Sequence, residues 1–271
     1  LSGGAASQNY PAGPMRMVVP FPPGGGTDIL GRAIAQKLTE SWNVPVVVDN
    51  RGGANGTIGA AAVAKSPADG HTLLIVPSGF AVNPAIYPNL PFDSLKDLAP
   101  VSQLASSPLV ISLHPSFPPK SVKELIAFLK ANPDKVNYGS SGNGSVGHLA
   151  MALFDMMAGV KMEHIAYKGT APAVADTVSG QVQFVFSAVN NVIPQMQAKK
   201  LKVLAVLTPQ RFSAMPDIPS VAESLPGYER PSSWSSRPAG FRGRPKTVRF
   251  FMVERVEVFG TEYAMTCHSI V

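Results

Sequence analysis

The chain has 271 residues, 45% hydrophobic and only 15% charged, which supplies a large core and one or two globular domains and excludes a largely disordered chain. No run approaches the roughly 18 consecutive apolar residues of a membrane-spanning helix, and the single cysteine, Cys267, excludes an intrachain disulfide and a Cys-based zinc cage. The net charge of +6 is uneven: residues 1–229 hold 16 Lys+Arg against 14 Asp+Glu and residues 230–271 hold 7 against 3, with no basic stripe interleaved with aromatics, so no nucleic-acid partner is expected.

The start, Leu1–Gly13, is small and polar, and its Ala5-Ala6-Ser7 stretch has the character of a signal-peptidase site without the apolar segment before it, as expected of a mature or trimmed N-terminus. Strand-like and helical patterns then alternate. Met15–Phe21 reads as a strand and Asp28–Ser41 as a helix with Ile29, Ala33, Ile34 and Leu38 on one face and Thr27 as its cap. Pro45–Val48 is a strand, Thr57–Lys65 an Ala-rich helix and His71–Val76 a strand. A Pro-rich crossover around Pro84–Pro100 separates this half from the next.

In the second half, Leu109–Leu113 is a strand, Ser121–Ala131 a helix opened by a Ser121/Glu124 capping box, and Val136–Tyr138 a short strand. Ser145–Met157, Ala171–Ser179 and Val192–Lys199 are helices, and Glu163–Tyr167, Val182–Phe186 and Leu201–Leu207 are strands. This alternation predicts an α/β protein of two domains, with mostly parallel sheets flanked by helices. The expected boundaries are 1–106 for the first part of domain 1, 107–205 for domain 2, and 206–271 for a return to domain 1. Within the last, residues 230–271 are basic and without period.

Three glycine-rich loops lie between a strand and a helix. In Pro20-Phe21-Pro22-Pro23-Gly24-Gly25-Gly26-Thr27-Asp28 the glycines let backbone N–H groups approach a guest beside a positive helix end, which suits an anion, although Asp28 would repel one unless otherwise engaged. Tyr138-Gly139-Ser140-Ser141-Gly142-Asn143-Gly144-Ser145-Val146-Gly147-His148 imitates several signatures and completes none. Ser145 and Val146 stand where a P-loop needs Lys and Ser/Thr. The dinucleotide pattern of Gly142, Gly144 and Gly147 lacks its acidic partner at a strand end, because Glu163 opens its strand. Asn143 occupies the first glycine position of a nucleophile elbow. What remains is a nest of N–H and hydroxyl donors fit for a carboxylate. The third loop, Tyr167-Lys168-Gly169-Thr170-Ala171-Pro172-Ala173, places a cation beside a helix that Thr170 can cap. His148, in a first helical turn, faces either this loop cluster or solvent. The five histidines share no metal-binding spacing, no metal or other cofactor is expected, and no catalytic set stands at fixed spacing, so an enzyme is not expected.

In this order the loops closely resemble the tripartite tricarboxylate transporter substrate-binding receptors, the Bug family of periplasmic solute receptors. The resemblance rests on Val19–Asp28, Val48–Gly56, Ala68-Asp69-Gly70-His71-Thr72-Leu73, Tyr138–Ser141, His148-Leu149-Ala150, Tyr167-Lys168-Gly169 and Met215–Glu223, and covers residues 11–229. It implies a two-domain periplasmic-binding-protein (Venus flytrap) fold with a ligand cleft between the domains, a periplasmic location, a monomer, and an inner-membrane permease as partner. The implied ligand is a small carboxylate: a di- or tricarboxylate or an aromatic acid. Carried over by position, the ligand-binding residues are Phe21, Gly26, Thr27, Asp28, Ser78, Gly79, Ser140, Ser141, Ser145, His148, Lys168 and Gly169, with Asp28 fixing bridging water. Ser187 stands where many members carry an acidic residue, which favours a plain carboxylate over an amino acid. Past Ser233-Trp234 the chain departs from the family, with the composition of a shifted reading frame. The alternative is an α/β enzyme that binds a nucleotide or phosphate at the same loops.

Overall fold

The computed structural model describes residues 10–105, 107–228 and 249–253. The first lobe contains β1 (Met15–Val19), α1 (Gly26–Trp42), β2 (Val46–Asn50), α2 (Thr57–Ala64), β3 (Thr72–Pro77), α3 (Asn83–Ile86) and β4 (Ala99–Gln103). The second contains β5 (Leu109–Leu113), α4 (Val122–Ala131), β6 (Asn137–Ser140), α5 (Val146–Ala158), β7 (Glu163–Ala166), α6 (Thr170–Val178), β8 (Phe184–Ala188), α7 (Ile193–Gln197) and β9 (Lys202–Val206). A last strand, β10 (Arg249–Val253), returns to the first lobe. The two five-stranded sheets have the orders β2-β1-β3-β10-β4 and β7-β6-β8-β5-β9.

Strict alternation along the strands explains how each sheet is covered on both faces. Met15, Met17, Val19, Leu73 and Ile75 pack with Ile34 and Ala35 of α1, whereas Val18, Leu74 and Val76 pack with Ala60 and Val63 of α2. In the second lobe Ile111, Leu113, Phe184 and Phe186 join Leu125 and Leu129 of α4 and Met151 and Phe154 of α5, while Val110 and Val185 join Ala173 and Val174 of α6. Each Val, Leu, Ile, Phe or Met side chain among these that is withdrawn from water contributes about 1.5–3 kcal/mol.

The two sheets differ in the direction of their inserted strand. β5 enters from the first lobe and runs antiparallel to both β8 and β9. β10 occupies the corresponding slot between β3 and β4 but runs parallel to both. The remaining pairs are parallel, so the expectation of mostly parallel sheets holds except around the crossing strand.

Several local expectations are corrected. The expected return to the first domain at residue 206 falls later, because Leu207, Val221 and the fully buried Tyr228 belong to the second lobe's core, and the Tyr228 hydroxyl donates to the Ala150 carbonyl at 2.9 Å. Thr27 does not cap α1. The N-cap is Gly25, whose carbonyl accepts from the Asp28 and Ile29 N–H groups, so the helix starts before Thr27 can serve as its cap. Gly169, not Thr170, is the N-cap of α6. Ser121 caps α4 through the Glu124 N–H, but the Glu124 carboxylate accepts from Lys120 instead of Ser121, leaving half a capping box. The atypical tail, apart from β10, lies outside the described residues.

Gly147 in α5 faces the backbone of β8, and a Cβ there would sit 2.5 Å from the Phe186 carbonyl oxygen. The Gly147→Ala variant is expected to push α5 off the sheet and cost about 1–3 kcal/mol. A urea midpoint measurement reads this, with Ala at the exposed Leu149 of the same helix as a control expected to change stability by no more than about 0.5 kcal/mol.

Candidate functional site

Helices α1, α5 and α6 follow β1, β6 and β7 through the three glycine-rich loops, so three helix N-termini arrive at the cleft between the lobes, outside the carboxyl ends of the strands. The lobes touch there. A Cβ on Gly26 would lie 2.6 Å from Asn190 Nδ2 and 2.9 Å from Asn191 Oδ1 of the opposite lobe. One on Gly79 would lie 3.0 Å from the Val146 backbone nitrogen, and one on Gly169, at φ +145°, would lie 2.8 Å from Pro22 Cδ. Side chains at these places would hold the lobes apart.

The first loop is organised by Asp28, which is 3% exposed. Its Oδ2 accepts from the Gly24 N–H at 2.9 Å and from Arg32 Nε at 3.0 Å, and its Oδ1 accepts from Asn50 Nδ2 at 2.9 Å. The same Asn50 amide donates to the Phe21 carbonyl at 3.0 Å. Burial alone would raise the Asp28 pKa, but the hydrogen bonds from Arg32, Gly24 and Asn50 and the Arg32 charge together hold it below its ordinary value. The conflict between this carboxylate and an anionic guest is thereby removed, because its negative charge is matched within the lobe.

A cavity of about 150 Å³ lies between the lobes. The first lobe lines it with Phe21, Gly53, Ala54, Asn55 and Tyr87, and the second with Ser141, Gly142, Asn143, Ala166, Tyr167 and Lys168. Lys168 is the one charged side chain among these, and no carboxylate is present. The volume is well below the roughly 300–1,000 Å³ of sites for drug-sized ligands, so it suits a small anion. One wall is conformationally unusual. Ala54 and Asn55 have φ of 45° and 50°, flanked by Gly53 and Gly56 at positive φ, and Asn55 is pinned by a 2.8 Å hydrogen bond to Asn83 Oδ1. Such left-handed non-glycine residues persist where surrounding contacts over-determine them.

Of the thirteen residues expected at the site, Phe21, Ser141 and Lys168 line the cavity. Gly26, Gly79 and Gly169 form the contacts between lobes, and Ser78 and Thr27 lie on the same loops. Ser145 caps α5 by accepting from the His148 N–H at 3.3 Å. Ser140 is fully buried, 2.6 Å from His164 Nε2 and hydrogen-bonded with the Gly142 backbone. His148 faces the loop: its Nδ1 accepts from the Gly144 N–H at 3.1 Å, and its ring stacks on His164 at 4.1 Å. Ser187 lies apart, 3% exposed and opposite Val110 in the β5–β8 ladder. The sequence reading assigned no contacts to Asn55, Tyr87, Asn143 or Tyr167. The Val48–Gly56 motif held a signal for Asn55, whereas nothing local marked Tyr87.

Residues 30–249 match the family described as the tripartite tricarboxylate transporter family receptor. The chain belongs to this family. Among its relatives, BugT of Bordetella pertussis is 40% identical over 225 residues, covering 82% of this chain and 69% of BugT. An R. palustris protein solved with adipate is 38% identical with a TM-score of 0.79, covering 81% of this chain and 74% of that one. The periplasmic binding protein BugD is 35% identical with a TM-score of 0.76, at 81% and 74% coverage. MatC from Rhodopseudomonas palustris with bound malate is 31% identical with a TM-score of 0.75, at 81% and 76% coverage. The fold is accordingly that of a periplasmic binding protein, and these relatives are receptors and binding proteins and not enzymes. The chain spans about two thirds of the length of the curated relatives it matches, 66% of a Pseudomonas protein that is 39% identical and covers 81% of this chain, and 69% of BugT.

Because Asp28 holds the first loop without lining the cavity, Asp28→Ala is expected to weaken ligand binding and to lower stability by more than about 2 kcal/mol, the scale of losing hydrogen bonds to a charged group. Calorimetric titration and denaturant unfolding of the variant check the two effects.

Two opposing titrations lie on the second lobe. Burial and then the neighbouring His148 push the His164 pKa down to about 4, and burial lowers that of His148. Burial pushes the Asp155 carboxyl up to about 7, against a hydrogen bond from the Met162 backbone. The stability that the histidines contribute is complete above the unfolded value near 6.5 and is lost as pH falls toward about 4. That of Asp155 is complete below 3.8 and is lost as pH rises toward about 7. Between pH 4 and 6.5 the two slopes offset. Asp155→Asn is therefore expected to make unfolding midpoints fall more steeply on acidification from pH 6.5 to 4.5 than in the native protein.

Proposed function

We propose that this chain is an extracytoplasmic solute receptor, located in the periplasm, that closes around a small carboxylate and delivers it to a tripartite tricarboxylate-type permease in the inner membrane. The observation that carries this reading is the cavity between the lobes, with Lys168 as its one charged lining residue and three helix N-termini arriving at the cleft. Adipate and malate on the two R. palustris relatives support the same ligand class.

In this reading the ligand bridges the lobes. Ser141, Asn143 and Lys168 contribute from the second lobe, the Phe21 loop and the strained Gly53–Gly56 turn contribute from the first, and Asp28, Ser140, Ser145 and His148 hold those loops in shape. Affinity comes from closure over the bound acid without covalent chemistry. The absence of a lining carboxylate favours a plain acid over an amino acid, because an ammonium group would have no counter-charge among the lining residues. The receptor acts as a monomer that presents its closed form to the permease.

Thermal unfolding with adipate, malate, citrate, an aromatic acid, aspartate, ATP and NAD tests this reading. A bound acid at about 100 times its dissociation constant is expected to add about 2.7 kcal/mol and raise the midpoint by several degrees. Protection by a nucleotide alone would favour a nucleotide-binding enzyme, and stronger protection by aspartate than by the plain diacids would remove the preference argued from the lining.

A further inference from the structure

The two lobes bring different kinds of groups to the cavity. From the second come three polar side chains, those of Ser141, Asn143 and Lys168, that have no hydrogen bond or ion pair among the described residues. The fourth polar side chain there, Tyr167, is engaged, since its hydroxyl donates to Asp176 at 2.7 Å. From the first lobe come the Phe21 ring, the Gly53 and Ala54 backbone, and Asn55, whose amide is taken by Asn83. Both donors of the Asn55 amide are engaged, by Asn83 and the Gly79 carbonyl, so Tyr87 is the first lobe's one lining side chain with an uncommitted hydrogen-bond donor among the described residues.

Tyr87 is also held in place. It directly follows α3, and its N–H donates to the Asn83 carbonyl at 2.8 Å. Asn83 is fully buried; its side chain accepts from Asn55 Nδ2 at 2.8 Å and donates to the Asn55 backbone carbonyl at 3.1 Å. Pro88 on the other side keeps Tyr87 out of the helical conformation. The adjacent Ile86 seats against Gly144 of the opposite lobe, leaving no room there for a side chain. The turn that carries Tyr87 therefore bridges the closed cleft.

We propose that Tyr87 is a specificity-determining residue, whose hydroxyl selects acids bearing a second oxygen acceptor, such as dicarboxylates, over simple monocarboxylates. This rests on the carboxylate-receptor reading above. A monoacid can satisfy Lys168 and the second-lobe donors, but it carries no second acceptor for the hydroxyl of the half-buried Tyr87 on the other wall. A diacid supplies acceptors to both lobes. A site built to hydrogen-bond a ligand group discriminates strongly against the analogue that lacks it, because its own polar group is left unpaired.

The test is calorimetric titration of the native protein and Tyr87→Phe with adipate, malate, hexanoate and butyrate. The native protein is expected to prefer each diacid over the monoacid of equal carbon number. Tyr87→Phe is expected to lose about ten- to hundredfold in diacid affinity while monoacid affinity stays within about twofold, the range for one hydrogen bond to a charged group. Unchanged diacid binding in the variant, or an equal loss for both classes, would overturn the inference. Equal native affinity for mono- and diacids would overturn it while leaving the receptor reading standing, and no binding of any acid would overturn both. Because Phe keeps the ring, the variant's melting temperature is expected to match the native one. If it does not, Tyr87→Gln, which restores a donor on a smaller side chain, must retain a diacid preference for the inference to stand.

Discussion

The buried carboxylate of Asp28 is the interaction on which the first lobe's side of the cleft depends. One group gathers the Gly24 backbone, the Arg32 guanidinium and the Asn50 amide, and through Asn50 the Phe21 carbonyl. It thereby ties the end of β1, the start of α1 and the end of β2 into a single corner. A buried charge is tolerable only when its lone pairs are filled and its charge is matched, and here both conditions are met inside the lobe. The same acid that a linear reading sets beside an anionic guest is therefore already neutralised, and the loop it shapes can offer its backbone to that guest.

The second lobe reaches an equivalent result by a different chemistry. Ser140 and His164 share a short hydrogen bond, His148 accepts from the Gly144 N–H, and Tyr138, His164 and His148 stack as a column of rings beside the loop. The His148 bond requires an unprotonated Nδ1, and burial favours the uncharged ring. Neutral histidines thus shape a loop next to Lys168 without adding to its charge, so the charge that meets the ligand is concentrated on one flexible side chain.

Closure itself depends on what is missing at the contact points. Gly26 against Asn190 and Asn191, and Gly169 against Pro22, bring main chain of one lobe into contact with the other. A receptor that traps its ligand needs its lobes to approach until water is excluded, and a single Cβ at either point would stop them short. The loops are glycine-rich for two separate reasons, approach to a ligand and approach of one lobe to the other, and composition alone does not distinguish them.

The α/β alternation, the strand and helix positions and the three loops were legible in the sequence, because period-2 and period-3.6 patterns and strand-to-helix glycines are local. So was the family, whose motifs span both lobes. What the tertiary structure decided were the assignments that depend on residues distant in the chain. Asp28 was readable as an acid at an anion loop but not as the partner of Asn50. Ser187 was readable as a departure from the family but not as a buried rung opposite Val110. The chain between Leu207 and Tyr228 was assigned to the first domain by its position after the last strand, yet Tyr228 is buried under Ala150 of the second lobe. Tyr87 lies within the Pro-rich crossover with no motif around it, and it reaches the cavity because Asn83 pairs with Asn55, a partner 28 residues away. Local pattern fixes which residues form each element; which of them face the cavity is set by packing between elements, and that information is carried by no single stretch of sequence.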